Sequence, residues 1–158
     1  MKKSFIVVVS AIVGVLLGTG VMGNFLSKKI DSENKNSNKF KSLFLMMNHW
    51  VKIKQDGKSL ASYFEKNGYK KIAIYGMGYV GETLLDELRN TDISIAYGID
   101  RRAEFLYMDI DIISIDDPLE EVDAVVVTVI ASFDEIEKKI SEKMDCAVIS
   151  LEDVLDEI

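Results

Sequence analysis

Three glycines with characteristic spacing follow a short apolar run. Gly76, Gly78 and Gly81 form G-x-G-x-x-G directly after Ile72–Tyr75, and an apolar pattern typical of a helix comes next. In a strand–turn–helix of this kind, the first glycine allows a tight turn and the second lets the backbone approach a pyrophosphate. The third lets the helix pack close to the strand. The free N–H groups and the positive end of the helix dipole attract an anion. The pattern therefore predicts a turn that holds a phosphate.

Other potential ligand contacts lie at the ends of neighbouring predicted strands. Asp100 ends the second strand nineteen positions after Gly81, where a carboxylate would accept hydrogen bonds from ribose hydroxyls; it could equally be a strand-end cap. Arg101 could meet a phosphate or a base, or neutralise nearby acids, and Thr128 could be a buried strand residue. Glu82 would repel a phosphate if it pointed inward. The predicted binding residues are Gly76, Met77, Gly78, Tyr79, Val80, Gly81, Asp100, Arg101 and Thr128.

Composition argues against several other kinds of chemistry. The chain has one cysteine, Cys146, and one histidine, His49, so neither a disulfide nor a multi-histidine metal site is expected. No Tyr-x-x-x-Lys pair occurs, and we predict neither catalytic nor metal-binding residues. The net charge is −7, and a surface this acidic repels nucleic acid.

Alternating strand and helix patterns place the glycines in an α/β domain. Residues 69–158 predict a parallel, Rossmann-like sheet of about five strands with right-handed crossovers. The run Ala124–Val129 is typical of a strand buried on both faces. About ninety residues make roughly half of a full dinucleotide-binding domain and leave no room for a separate substrate domain. The predicted strands are Ile72–Tyr75, Ile93–Ile99, Ile110–Ile115, Ala124–Val129 and Ala147–Leu151.

The amino-terminal segment is apolar enough to cross a membrane. No charge occurs from Ser4 to Leu26, and pairs of lysines flank this stretch; its length suffices to span a hydrocarbon core. Residues 1–27 therefore predict a single-pass transmembrane anchor at the cell membrane, and a cleaved signal peptide with a secreted product is the alternative. Lysines after the segment favour a cytoplasmic domain, whereas the short basic amino terminus argues the reverse. A nucleotide-binding fold with a lone thiol favours the cytoplasm.

Between the anchor and the sheet we predict a linker at 28–39 and connecting helices at 40–68. The first of these helices is amphipathic, with Phe40, Phe44 and Trp50 among its apolar positions. It could rest on lipid headgroups with Trp50 as an interfacial anchor. The preferred interpretation is that it covers the flank of the domain or pairs with another copy. Gly68 is the predicted end of the second helix.

Two resemblances extend this interpretation. The phrase Gly76-Met-Gly-Tyr-Val-Gly81 resembles the cofactor turn of UDP-glucose/GDP-mannose dehydrogenases, whose large substrate domain has no counterpart here. Residues 57–155, which include YGIDRR and VVVTV, resemble small Rossmann-like domains of bacterial surface-polysaccharide biosynthesis proteins. That resemblance implies a nucleotide or nucleotide-sugar ligand and a sugar-polymer pathway; the sequence does not identify the cofactor, for which NAD(P) and a nucleotide-sugar are the candidates. The candidate partners are a polysaccharide-biosynthesis enzyme, in keeping with that pathway, and a second copy of the chain paired through the amphipathic helix.

Three functions remain open from the sequence. The first is a membrane-anchored, non-catalytic module that binds a nucleotide or nucleotide-sugar and is auxiliary to polysaccharide biosynthesis. The second is an NAD(P)-dependent oxidoreductase or epimerase-like enzyme reduced to its cofactor domain. The third is an interaction scaffold without a ligand.

Overall fold

The computed structural model describes residues 36–158, except for the side chain of Ile130. Its centre is a five-stranded sheet in the order β3-β2-β1-β4-β5, in which every neighbouring pair is parallel. This order matches the first five strands of the doubly wound dinucleotide-binding sheet. The predicted α/β class and the five parallel strands are confirmed. The strands are β1 Lys71–Tyr75, β2 Ser94–Ile99, β3 Ile112–Ile113, β4 Ala124–Val127 and β5 Ala147–Ser150.

Five α-helices accompany the strands within the described range. Two of them are crossovers: one joins β1 to β2 and the other joins β4 to β5. Because β2 and β4 lie on opposite sides of β1, right-handed crossovers place these two helices on opposite faces of the sheet. The β2–β3 connection contains only the 3₁₀ turn Ala103–Phe105. The helices are α1 over 36–55, α2 Ala61–Asn67, α3 Tyr79–Leu88, α4 Phe133–Ser141 and α5 Leu151–Asp156.

Burial on both faces explains the apolar strand sequences. On one face, alternate strand residues such as Tyr75, Ile99 and Val125 pack with Ile136 and Ile140 of α4. The intervening residues of each strand point to the other face, and Ile72, Ile74 and Val126 are fully buried there. At about 25 cal/mol per Å² of apolar surface, this two-sided burial supplies most of the favourable free energy of folding.

Glu87 of α3 holds the connecting helices against the α/β unit. Its Oε1 atom lies 2.7 Å from Lys54 Nζ, and it accepts weaker hydrogen bonds from the Ser59 hydroxyl and the Leu60 N–H. Trp50 is 3% exposed, so it covers the flank of the domain and is not the interfacial anchor of the lipid-bound alternative. Gly68 ends α2 in the left-handed conformation at φ 76°, as predicted.

Several boundaries differ from the sequence-based expectations. The predicted linker at 28–39 overlaps α1, since residues 36–39 are helical, and β3 is shorter than Ile110–Ile115 because only two of its residues pair with β2. Residues Met46–Ile158 form one compact unit, and Leu45 ends another. The predicted transmembrane anchor lies outside the described residues. Among residues 36–158, no helix has both the length and the apolarity required to cross a membrane.

Candidate functional site

The glycine-rich turn begins at a position where only glycine fits. Gly76 has φ 96°, and a Cβ atom there would lie 2.5 Å from Val129 Cγ2 and 2.6 Å from Thr128 Oγ1. The Gly76 N–H donates to the Ile99 carbonyl at 2.8 Å. This bond continues the β1–β2 ladder into the turn. The conformation predicted for the first glycine is therefore present.

Thr128 supports the turn from the neighbouring strand end. Its side-chain hydroxyl lies 2.6 Å from the Gly76 carbonyl oxygen and 3.1 Å from that of Tyr75. The residue is 8% exposed, and its one hydroxyl proton is directed to these backbone acceptors. Thr128 thus lies beneath the turn, and a direct ligand contact by this residue stays a prediction.

Met77 locks the turn onto the second strand. Its N–H donates to Asp100 Oδ2 at 2.9 Å, and its side chain is fully buried. A Cβ atom on Gly98 would lie 2.6 Å from Met77 Cγ and 2.7 Å from Ile112 Cδ1, so the missing side chain of Gly98 makes room for Met77. This role of Gly98 was not predicted from the sequence. A glycine inside an otherwise apolar strand was the available signal of a close approach.

The second and third glycines of the motif have opposite surroundings. A Cβ atom on Gly81 would lie 2.3 Å from the Gly76 carbonyl oxygen, which is backbone and cannot swing away. A Cβ atom on Gly78 would have no heavy atom within 4 Å. The space above Gly78 is therefore open, whereas Gly81 is needed for the helix to pack against the turn. Both features match the tasks that the motif assigns to these glycines.

The first turn of α3 presents backbone donors next to this open space. Gly78 is the N-cap residue, and the first N–H groups of an α-helix have no partner within the helix. No described residue accepts a backbone hydrogen bond from Gly78, Tyr79 or Val80. Tyr79 is 87% exposed while Val80 is buried. Glu82 is exposed as well, so its carboxylate does not fill the turn.

Asp100 joins the turn to the loop after β2. Its Oδ1 atom accepts from the Arg102 N–H at 2.9 Å, while its Oδ2 atom accepts from Met77. Its side chain is 13% exposed. A carboxylate has about four lone-pair sites, so each oxygen of Asp100 retains capacity for one more donor. Two adjacent hydroxyls, such as a ribose diol, match that capacity.

The positive charge of Arg101 is felt by a carboxylate in the first turn of α4. The hydrogen bond from Lys139, at 2.7 Å, lowers the pKa of Glu135, and the nearby positive charge of Arg101 lowers it further. Arg101 is exposed. A phosphate or base contact by Arg101 stays a prediction.

Cysteine, histidine and acidic residues were considered as a nucleophile or as metal ligands. Burial raises the pKa of the Cys146 thiol, which favours the protonated, less nucleophilic form. Among residues 36–158, no group of three or more histidine, cysteine, aspartate or glutamate side chains could hold a metal ion. His49 lies 3.4 Å from the exposed Asp156 carboxylate.

Two surface cavities lie away from the glycine-rich turn. One, of about 330 Å³, is lined by the loop Asp116–Leu119 together with Lys143. The other, of about 340 Å³, lies between α1 and α3 and includes Met47, Trp50 and Thr83. The open space at Gly78 belongs to neither of these two cavities, and Gly78 itself is exposed.

Comparison with protein-family models, with curated proteins and with solved structures finds no match to this chain. The resemblances to polysaccharide-biosynthesis domains and to dehydrogenase turns stay hypotheses. The geometry of the glycine-rich turn is therefore the main evidence about function.

Proposed function

We propose that this protein is a membrane-anchored, non-catalytic module that binds a nucleotide or a nucleotide-sugar at the carboxyl edge of its sheet. It would serve as an auxiliary component of polysaccharide biosynthesis. The diphosphate would lie over Gly78, and the ribose would lie beside Asp100.

The observation that carries this proposal is the empty space over Gly78. Glycines that only satisfy a backbone conformation have either a positive φ or a close neighbour, as Gly76 and Gly81 do. Gly78 has neither, since its φ is −86°. A residue without a side chain at the start of a helix, next to unpartnered N–H groups, suits the approach of an anion.

The surroundings of Asp100 support a nucleotide over a simple phosphate. Its two oxygens are held in place by backbone donors from the turn and from the following loop. They can each accept one more hydrogen bond, which a 2′,3′-diol supplies. A 2′-phosphate would meet the carboxylate with like charge, but the Arg102 guanidinium, whose Nε lies 3.7 Å from Asp100 Oδ1, could meet it with opposite charge, so both NAD and NADP fit the proposal.

A ligand panel tests the proposal directly. The full chain, in detergent, is heated with NAD, NADP, UDP-sugars or coenzyme A, and its melting temperature is recorded. A ligand at a hundred times its Kd adds about 2.7 kcal/mol of stability, which corresponds to roughly 5–10 °C for a chain of this size. No shift with any diphosphate-containing ligand contradicts the proposal.

Gly78→Val tests whether the open space is the site. The variant should lose the ligand-dependent shift while its own unfolding free energy changes by no more than about 1 kcal/mol, the scale of an N-cap replacement. Valine fits because the Gly78 backbone is extended, with ψ −164°. The matched control is Ser62→Val, an exposed position on α2 that should keep the full shift. Unchanged affinity in Gly78→Val would locate the ligand elsewhere.

One observation favours a second function, an interaction scaffold without a ligand. Neither described cavity includes the turn, and both oxygens of Asp100 already have backbone partners. On this alternative the motif only closes the turn. Gly78→Val would then change the unfolding free energy by no more than about 1 kcal/mol, and it would leave the binding of a protein partner unchanged.

A further inference from the structure

Helix α1 exposes aromatic side chains between lysines at its amino-terminal end. Phe40 and Phe44 are each 68% exposed and Leu45 is 56% exposed. Lys39 and Lys41 are exposed too, and no aspartate or glutamate occurs from position 36 to position 55. We call residues 39–45 the basic aromatic surface.

Helical spacing arranges this surface into two adjacent rows. Residues four apart lie one above the other on a helix, so Phe40 and Phe44 form one row while Lys41 and Leu45 form the next. Large apolar side chains grouped with cations, and without acids, are typical of helices that lie in a membrane interface.

The other half of the same helix behaves differently. Within the compact unit Met46–Ile158, Met46, Trp50 and Ile53 are buried, and their contacts with the α/β unit account for them. Packing within that unit does not account for exposed phenylalanines ahead of it.

We propose that the basic aromatic surface docks on an anionic lipid surface. Phe40 and Phe44 would enter the boundary between headgroups and acyl chains, and Lys39 and Lys41 would meet lipid phosphates or carboxylates. Charge complementarity selects this occupant, because the surface carries positive charge and no acid.

The position of the surface in the chain supports the same occupant. Phe40 follows Leu26, the end of the uncharged segment, by fourteen residues, and fourteen residues reach no farther than about 50 Å. This step depends on the membrane anchor of the proposed function. An anchor would keep the surface within reach of the bilayer.

A tryptophan reporter tests the contact in the full chain. Phe44→Trp is reconstituted into nanodiscs that carry brominated acyl chains, made either of phosphatidylcholine alone or with added phosphatidylserine. We expect lipid quenching of the added tryptophan in the anionic discs and markedly less in the neutral ones. The parent chain is the control, because buried Trp50 should stay unquenched in both.

Charge reversal identifies the groups responsible. Lys39→Glu with Lys41→Glu, in the Phe44→Trp background, should lower partitioning of the segment at least about 30-fold, from about 1 kcal/mol per basic residue. The matched control, Lys66→Glu with Lys138→Glu, makes the same charge change at exposed positions on α2 and α4 and should leave quenching unchanged. Salt of about 1 M, where the Debye length is about 3 Å, should abolish the preference for anionic discs.

Equal quenching in neutral and anionic discs would overturn the proposal. So would an unquenched reporter whose emission changes with protein concentration, since a second copy would then cover the surface. A chain that lacks a membrane anchor would give a different result. It would dissociate from neutral discs both with and without the substitutions at Lys39 and Lys41.

Discussion

Asp100 and Asp123 each accept two backbone N–H hydrogen bonds, yet they lie at opposite ends of the parallel sheet. At the amino end, Asp123 Oδ2 lies 2.7 Å from the N–H nitrogens of both Lys70 and Lys71 and ties the start of β4 to the start of β1. At the carboxyl end, Asp100 ties the glycine-rich turn to the loop after β2. The hydrogen-bond chemistry is the same at both ends.

The difference lies in what surrounds each carboxylate. Only Asp100 adjoins a helix N-terminus with an open space over a glycine, the space above Gly78. Parallel strands place such turns at their carboxyl ends. On the proposed function, the capacity to bind a ligand would come from the open space and the unpartnered N–H donors beside the carboxylate. The hydrogen bonds that the two carboxylates accept would by themselves only link neighbouring segments of the fold.

Gly81→Ala should lower the unfolding free energy more than the other variants do. It should disturb only the glycine-rich turn, at the edge of the sheet where the strands have their carboxyl ends. Its Cβ atom would lie 2.3 Å from the Gly76 carbonyl oxygen, and overpacking against backbone costs about 1–3 kcal/mol or more. Denaturant unfolding of the full chain should show the loss. Gly78→Ala is the control, with a cost of no more than about 1 kcal/mol. Equal losses in the two variants would show that the close approach at Gly81 is not what closes the turn.

Thr128→Val should lower the unfolding free energy by an intermediate amount, also through the glycine-rich turn. The variant leaves the Gly76 carbonyl oxygen without the Thr128 hydroxyl, and a buried, unsatisfied acceptor costs about 1–3 kcal/mol. Thr128→Ser keeps the hydroxyl and should lose no more than about 1 kcal/mol, the scale of one buried methyl group. If valine were as stable as serine in thermal unfolding, the hydroxyl would not support the turn.

Asp123→Asn should have the smallest effect, confined to the amino end and dependent on pH. The hydrogen bonds from Lys71 and Lys70 lower the pKa of Asp123 below its ordinary 3.8. The carboxylate therefore stabilises the fold above about pH 3.8, and this contribution is lost as the pH falls through the lowered pKa. Urea unfolding should show parent and variant converging in stability at acid pH.

Glu152→Gln provides a control in which the stability difference from the parent at neutral pH should have the opposite sign. Burial raises the pKa of Glu152, and Asp156 and Asp153 raise it further, so its charged form is unfavourable in the folded chain. This variant should be at least as stable as the parent at neutral pH, and the difference should disappear at acid pH. If the stability of the two variants relative to the parent changed with pH in the same direction, the Asp123 carboxylate would not be stabilising the fold through its hydrogen bonds.

Local patterns were enough to predict much of the fold. The β-branched runs predicted the strands, and the glycine spacing predicted the turn and the start of α3, because these features depend on residues close together in the chain. Gly68 at the end of α2 was predicted for the same reason. The interaction between α1 and the domain was left as alternatives, since an amphipathic stripe does not reveal what covers it.

Other features depend on residues far apart in sequence, and only the tertiary structure decided them. Strand order brought Asp100 to the Met77 N–H and Thr128 beneath Gly76, which are 23 and 52 positions apart. A glycine within β2 signalled a close approach, but only the folded chain showed that Met77 is the side chain that packs on Gly98. The sequence by itself determined which residues could form a phosphate-binding turn, because glycine spacing is a local property. Whether the space above Gly78 is open depends on side chains brought there by other strands, so only the folded chain could decide it.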